Sequence, residues 1–145
     1  MKVFLSAATR GPRVDRRALA RSARTILSAL GSTDVELSVS LVDDAEIARL
    51  AGDYGRPRRA TDVLAFAQRE GRGRGDSRCL GDVVISLDTA QRQAARRAVP
   101  LARELETLLV HGCLHLHGLD HVRRGDRARM RALERHLAWE LARLS

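Results

Sequence analysis

The chain has 145 residues, a length typical of one compact domain. Hydrophobic residues make up 44% of it, too many for a disordered chain, and no apolar run approaches the ~18 residues of a membrane-spanning helix. There are 26 lysines and arginines against 18 acidic residues, and the net charge of +8 favours a polyanionic partner. The apolar stretch from Val3 to Leu5 is too short for a signal peptide, so we expect a cytoplasmic protein that binds no membrane.

Strands and helices alternate in the first half of the chain. Apolar periodicity predicts a strand over residues 3–9, a helix over 13–30, a strand over 35–42 and a helix from Asp43 or Asp44 to about residue 53. Two more strands are predicted over 61–67 and 80–87. Between them, over residues 68–79, glycines alternate with arginines, a pattern typical of a flexible basic loop.

The second half of the chain is predicted to be helical. Asp88 is expected to cap a helix that runs to residue 98, Pro100 to begin the next helix, and Gly118 to end it. A last amphipathic helix is predicted over residues 126–144. Four strands interleaved with about five helices predict an α/β or α+β arrangement, of which we favour α+β: a single domain over residues 1–145 with a roughly four-stranded mixed sheet.

Four of the five histidines lie within residues 111–121. His111 and His115 are four positions apart on a predicted helix, so both rings project from one face. Gly118 can adopt the left-handed conformation that ends a helix, and the returning chain can bring His121 to the same point. Three imidazoles leave one tetrahedral position open, as in catalytic zinc sites. The spacing therefore predicts one zinc ion per chain, bound by these three histidines.

The spacing of these histidines also matches the zinc helix of the metzincin proteases. The glutamate that serves those enzymes as general base is replaced here by Gly112, which is predicted to face the apolar core. A metalloprotease would keep the predicted metzincin-like zinc helix but would lack its base.

Other polar residues near the cluster receive structural interpretations. His117, two positions from His115, is predicted to face away from the metal, and His136 to lie on the polar side of the last helix. Glu104 is predicted to be solvated. Two roles stay open for Asp120: it orients an imidazole, or it caps the turn.

The segment HGCLHLHGLDH, residues 111–121, resembles the H-G-x-L-H-L-x-G-x-D-H signature of the YbeY endoribonucleases, which mature ribosomal RNA. LGDVVIS, residues 80–86, resembles the L-G-D-I-x-I-S strand of that family, and ATDVLAF, residues 60–66, its P-T-D-V-L-S-F strand. The resemblance implies a sheet of about four strands surrounded by helices, and it assigns the zinc ligands to the same three histidines. Ala60 and Ala65 stand where the family usually has Pro and Ser.

A functional arginine of the family has shifted in this chain. The family reads L-N-x-x-Y-R ahead of the second motif, and this sequence reads LAGDYGR. Tyr54 matches, but Gly55 takes the place of the arginine and Arg56 follows it. We assign the catalytic role to Arg56, with Arg58 and Arg59 as alternatives.

The resemblance implies a zinc-dependent, single-strand-specific endoribonuclease that acts in ribosomal RNA maturation, at the 3′ end of the small-subunit RNA, and in ribosome quality control. Its partners would be single-stranded RNA, ribosomal RNA and ribosomal particles. Arg56 would stabilise charge on the scissile phosphate. The alternative is a zinc-stabilised, ribosome-associated binding module with little catalysis, which the shifted arginine and the missing serine favour.

Overall fold

The computed structural model of the protein describes residues 1–68, 79–119 and 124–144. In these ranges the chain forms four strands and five helices. In chain order they are β1 (Lys2–Ala7), α1 (Arg16–Ala29), β2 (Glu36–Val42), α2 (Asp44–Asp53), β3 (Val63–Ala67), β4 (Cys79–Ser86), α3 (Leu87–Arg97), α4 (Leu101–Leu116) and α5 (Arg124–Ala142). The predicted α+β fold with a four-stranded sheet is thereby confirmed. The predicted basic loop falls mainly on residues 69–78, which lie outside the described ranges.

The sheet is mixed, with strand order β1-β2-β4-β3. β1, β2 and β4 run parallel, and β3 pairs antiparallel with β4 at one edge. The register places Val39 of β2 opposite Val83 of β4, and Ala65 of β3 opposite the same valine. Because β4 is a central strand, the helix that packs on it lies over the middle of the sheet.

The two faces of the sheet bury separate groups of apolar side chains. The larger core lies between the sheet and helices α1, α3, α4 and α5, and contains alternate residues of the central strands such as Leu37, Val39 and Val83. A smaller cluster forms on the opposite face, where Ile47 of α2 packs with Val84. Alternation of side chains along each strand separates the two cores.

The structure corrects two assignments made from the sequence. Ser86, and not Asp88, caps α3, since its Oγ accepts the Thr89 N–H at 3.2 Å. The carboxylate of Asp88 instead accepts the backbone N–H of Asp44 at 3.0 Å. Glu104 is 1% exposed rather than solvated. Its carboxylate is paired with the Arg97 guanidinium at 3.2 Å, which compensates the buried charge.

None of the helices in the described parts of the chain is both long enough and apolar enough to cross a membrane.

Candidate metal and RNA site

Helix α4 carries His111 and His115 on one side and its buried leucines on the other. The two histidines line a common cavity of about 400 Å³. The side chain of His111 is 32% exposed and that of His115 is exposed, so both rings are accessible from this cavity. The spacing of four residues therefore places both side chains on one accessible face, as predicted.

Gly112, between the two histidines, brings α4 close to the sheet. A Cβ atom at this position would lie 2.7 Å from Cγ1 of Val83 on β4. Only a residue without a side chain allows the helix backbone to approach the strand so closely. The prediction that position 112 faces the core is confirmed. The close approach also brings the histidines beside Val63 and Ala65 of the neighbouring strand, which line the same cavity.

The C-terminus of α4 is a Schellman motif. Gly118 has a φ of +87° and donates its N–H to the His115 carbonyl at 2.9 Å. The N–H of Leu119 reaches the Leu114 carbonyl at 3.2 Å. This pair of bonds reverses the chain direction, as the sequence predicted for this glycine. The third predicted ligand, His121, lies outside the described residues, as does Asp120.

A second Schellman motif places Arg56. At the end of α2, Gly55 has a φ of +80° and donates its N–H to the Gly52 carbonyl at 3.1 Å. The N–H of Arg56 then bonds to the Ala51 carbonyl at 2.9 Å. Glycine therefore occupies the left-handed position, where an arginine would be strained. The arginine that follows it lines the cavity of His111 and His115.

The three candidate arginines occupy different positions. Arg56 lines the histidine cavity, and its guanidinium carbon lies 5.7 Å from the centre of the Phe66 ring, a cation–π contact. Arg59 lines a neighbouring cavity that it shares with Arg56. The methylene chain of Arg58 lies over Gly52, where an added Cβ would come within 3.1 Å of its Cγ. Of the three, only Arg56 is among the described residues that line the histidine cavity.

Two acidic residues near the site were missed in the sequence. Asp62 lines the histidine cavity. Its Oδ1 accepts the Val63 N–H at 2.8 Å, and its Oδ2 accepts the Gln93 side-chain amide at 3.3 Å. It belongs to the ATDVLAF segment, so its position in that motif was the available signal. The alternation of apolar residues in that segment predicts only a strand.

The second missed residue is Glu134 of α5. Its Oε2 lies 2.7 Å from Nε2 of His111, the distance of an ion pair. The two residues are 23 positions apart in the sequence, and they meet only because α5 packs against α4. No local pattern in the sequence marks this contact.

The neighbouring thiol and histidines have structural roles, as predicted for His117 and His136. Nδ1 of His117 donates to the Cys113 carbonyl at 2.7 Å, and its Nε2 lies 2.6 Å from the Ser32 hydroxyl. His136 is exposed on α5. Burial raises the pKa of the Cys113 thiol to about 12, and this side chain lies in the core and does not line the histidine cavity.

The donor atoms in the cavity suit a divalent metal of intermediate softness. Two imidazoles from one helix turn offer the nitrogen ligands that zinc commonly takes. Within residues 1–68, 79–119 and 124–144, no group of three histidine, cysteine or acidic side chains could hold an ion.

An α+β fold in which two helical histidines and an arginine line one cavity has the groups that metal-dependent enzymes acting on phosphate esters use. The family model described as endoribonuclease YbeY matches residues 6–142. The chain therefore belongs to the YbeY endoribonuclease family, metal-dependent hydrolases that act on RNA in ribosomal RNA processing. Both the predicted family and the predicted enzyme class are confirmed.

Several curated proteins named endoribonuclease YbeY are similar to this chain. The identity is 48% over 125 residues with the protein of Myxococcus xanthus, covering 86% of this chain and 42% of that protein. The identity with the protein of Aquifex aeolicus is 43%, covering 83% of this chain and 80% of that protein. The identity with the protein of Geobacter sulfurreducens is 41%, covering 94% of this chain and 93% of that protein. The chain thus spans less than half of the Myxococcus protein and most of the other two.

The fold is also found in a solved structure. The solution structure of a protein from Thermotoga maritima superimposes with a TM-score of 0.64 at 22% identity, covering 96% of this chain and 88% of that one. This likeness supports the arrangement of helices and strands.

Proposed function

We propose that residues 1–145 form a zinc-dependent, single-strand-specific endoribonuclease that matures ribosomal RNA. One observation carries the proposal: a single cavity is lined by His111 and His115 of α4 and by Arg56 beyond the end of α2. A histidine pair suited to a metal and a cation that line the same space could together stabilise the charge that develops when a phosphodiester is cleaved.

The proposed zinc ligands are His111, His115 and His121, with one ion per chain. The first two are supported by their shared cavity, and the third by its place after the Gly118 turn. Zinc, when bound, would supply Lewis acidity to the scissile phosphate and to a water molecule. When zinc is bound, the Glu134 carboxylate would either move away from Nε2 of His111 or remain beside the ion as an additional carboxylate.

The proposed role of Arg56 is to bind the phosphate and to stabilise the negative charge that grows during cleavage. Its backbone is held by the hydrogen bond to Ala51, and its guanidinium lies against Phe66. A cation held in advance needs little reorganisation when the charge develops. Asp62, across the same cavity, is fixed by two hydrogen bonds, which keep its carboxylate near the start of β3.

Ribosomal RNA and ribosomal particles are the proposed substrates, with the 3′ end of the small-subunit RNA as the site of action, and a role in ribosome quality control follows from that activity. We expect the protein to act in the cytoplasm, where these substrates are found. The net charge of +8 supports binding to an RNA backbone.

A ribosome-associated binding module is the second candidate. One observation favours it: Ala65 lines the cavity where the family usually carries a serine, so no hydroxyl is present at that point. This candidate predicts metal binding and RNA binding without turnover.

The test is cleavage of a labelled single-stranded ribosomal RNA fragment by the zinc-loaded protein, beside the same RNA in a duplex. Wild type should cut the single strand, and Arg56→Ala should slow cleavage about 100-fold or more with a small effect on binding. Arg58→Ala is the matched control, since it removes an equal charge outside the cavity. Binding without cleavage would favour the binding module. Equal rates for Arg56→Ala and Arg58→Ala would reject Arg56 as the catalytic cation.

A further inference from the structure

A groove between α4 and α5 adjoins the histidine cavity. Its volume is about 460 Å³, within the range of small-molecule sites. His111 lines both the groove and the histidine cavity, so the two spaces are neighbours on either side of this residue. The proposed cleavage mechanism does not use the rest of the groove.

The rim of the groove is rich in cationic groups. Arg103 of α4 and Arg131 and Arg135 of α5 line it, and all three are exposed. Their guanidinium groups make no hydrogen bond or ion pair with any residue in the described parts of the chain. Three cations held along one groove without a carboxylate partner suit an anionic ligand.

The two acidic residues of the groove are already engaged. Glu106 accepts a hydrogen bond from the Ser22 hydroxyl at 2.8 Å, and the Glu134 carboxylate lies 2.7 Å from Nε2 of His111. Their charges lower the positive potential of the groove but leave the guanidiniums unpaired.

The floor of the groove is apolar. Val110 and Leu141 are each 5% exposed and form the deep part, while Ala138 and Ala142 are exposed on α5. Small side chains on α5 therefore leave the groove open beside α4. Apart from His111, whose ring is paired with Glu134, none of the residues that line it carries an aromatic ring, so a base over the floor would rest on aliphatic groups.

From this combination we infer that the groove binds one nucleotide of the RNA substrate next to the cleaved bond. Its base would lie over Val110 and Ala138, and its phosphate would contact the three arginines. The inference rests on the proposed function, because an RNA strand bound in the histidine cavity would enter the groove by passing His111. Since phosphate contacts and aliphatic packing carry no base pattern, this subsite accepts any base.

The phosphate contacts are tested by binding of a fluorescein-labelled single-stranded RNA dodecamer with methylated 2′-hydroxyls to the zinc-loaded protein over a salt series. The intactness of the RNA is checked by gel after each titration. Arg131→Ala combined with Arg135→Ala should weaken binding about tenfold and make the salt slope shallower by about 1.4, which corresponds to two contacts on a single strand. The matched control, Arg17→Ala with Arg129→Ala, removes the same charge from exposed positions outside the groove.

The packing of the base is tested without a change of charge. Ala138→Leu should weaken binding about tenfold, because the larger side chain would occupy the space in which the base packs. Ala132→Leu, an exposed position on α5 outside the groove, should bind as wild type does. If wild type binds the RNA and all groove variants bind equally well, the subsite is refuted and the proposed function stands. If wild type neither binds nor cleaves single-stranded RNA, the proposed function fails and the subsite fails with it.

Discussion

Gly112 of α4 is packed against Val83 of β4 so closely that a Cβ atom on the glycine would lie 2.7 Å from the valine Cγ1. Real Cβ atoms essentially never approach a neighbour to this distance. The contact sets the distance of the histidine-bearing helix from the sheet. It also explains why the position between the two histidines carries no side chain in this chain.

Gly112→Ala should destabilise the protein by about 1–3 kcal/mol, the usual cost of overpacking a core. Val83→Ala should remove the clash, so the double variant should lose less stability than the sum of the two single changes. Urea unfolding of the four proteins measures the coupling. Additive losses would show that the two residues are not in direct contact.

Gly112→Glu should not create a protease, although it completes the protease motif in sequence. The new carboxylate would point at Val83 in the core, and an unpaired buried charge costs several kcal/mol. Thermal unfolding and a peptide-cleavage assay are the measurements. A variant as stable as wild type that cleaves peptides would contradict the orientation of α4 described above.

Asp44 joins α2 to α3. Its Oδ1 accepts the Ser86 and Thr89 hydroxyls at 2.6 and 2.7 Å, and its Oδ2 accepts the Arg92 guanidinium at 2.8 Å. Burial acts to raise the pKa of Asp44, but the hydrogen bonds from Ser86, Arg92 and Thr89 and the charge of Arg92 outweigh it, and the pKa is lowered.

Because the pKa of Asp44 is lower in the folded state, its ionised carboxylate stabilises the fold at pH values above the unfolded-state pKa of 3.8. This stabilisation is lost as the pH falls through the lower, folded-state pKa. Asp44→Asn should therefore cost about 1–2 kcal/mol at pH 7, toward the lower end of the ~1.5–3 kcal/mol that bonds to charged groups contribute, because the side chain is 30% exposed. The difference from wild type should shrink below about pH 4. Unfolding free energies measured from pH 2 to 8 test this, and a constant difference over that range would contradict it.

The two cysteines should react differently with a thiol reagent. Burial raises the pKa of Cys113 to about 12 and also blocks access to its sulfur, while Cys79 is only partly buried at the start of β4. A native titration with a chromogenic disulfide should modify Cys79 alone, and denaturant should release the second thiol. Rapid modification of Cys113 in the native protein would show that the α4 core opens readily.

Much of the fold could be predicted from the sequence because it depends on local periodicity. The helical spacing of His111 and His115 is a property of one stretch of five residues, and the turn at Gly118 depends on one glycine. The burial of Glu104 was not predictable in this way, because its partner Arg97 approaches from the preceding helix. Glu134 reaches His111 through tertiary packing, which a local pattern does not report.

The position of Arg56 also could not be predicted from the sequence motif alone. The shift of the arginine by one residue looked like a weakened motif in the sequence. In the structure Gly55 takes the left-handed position of a helix end, and the chain then presents Arg56 to the histidine cavity. The backbone geometry of the turn, and not the residue count, decides which arginine faces the site.

The account depends most on the claim that the α4 histidines hold the metal used in cleavage. Its most direct test is a titration of zinc into metal-stripped protein, with zinc bound per chain and single-turnover cleavage of single-stranded RNA measured at each point. Both should rise together and level off at one zinc per chain in wild type and in the exposed control His136→Ala, while His115→Ala should bind no zinc tightly and cleave no RNA above background. Full cleavage by metal-free wild type, or by His115→Ala, would contradict the account.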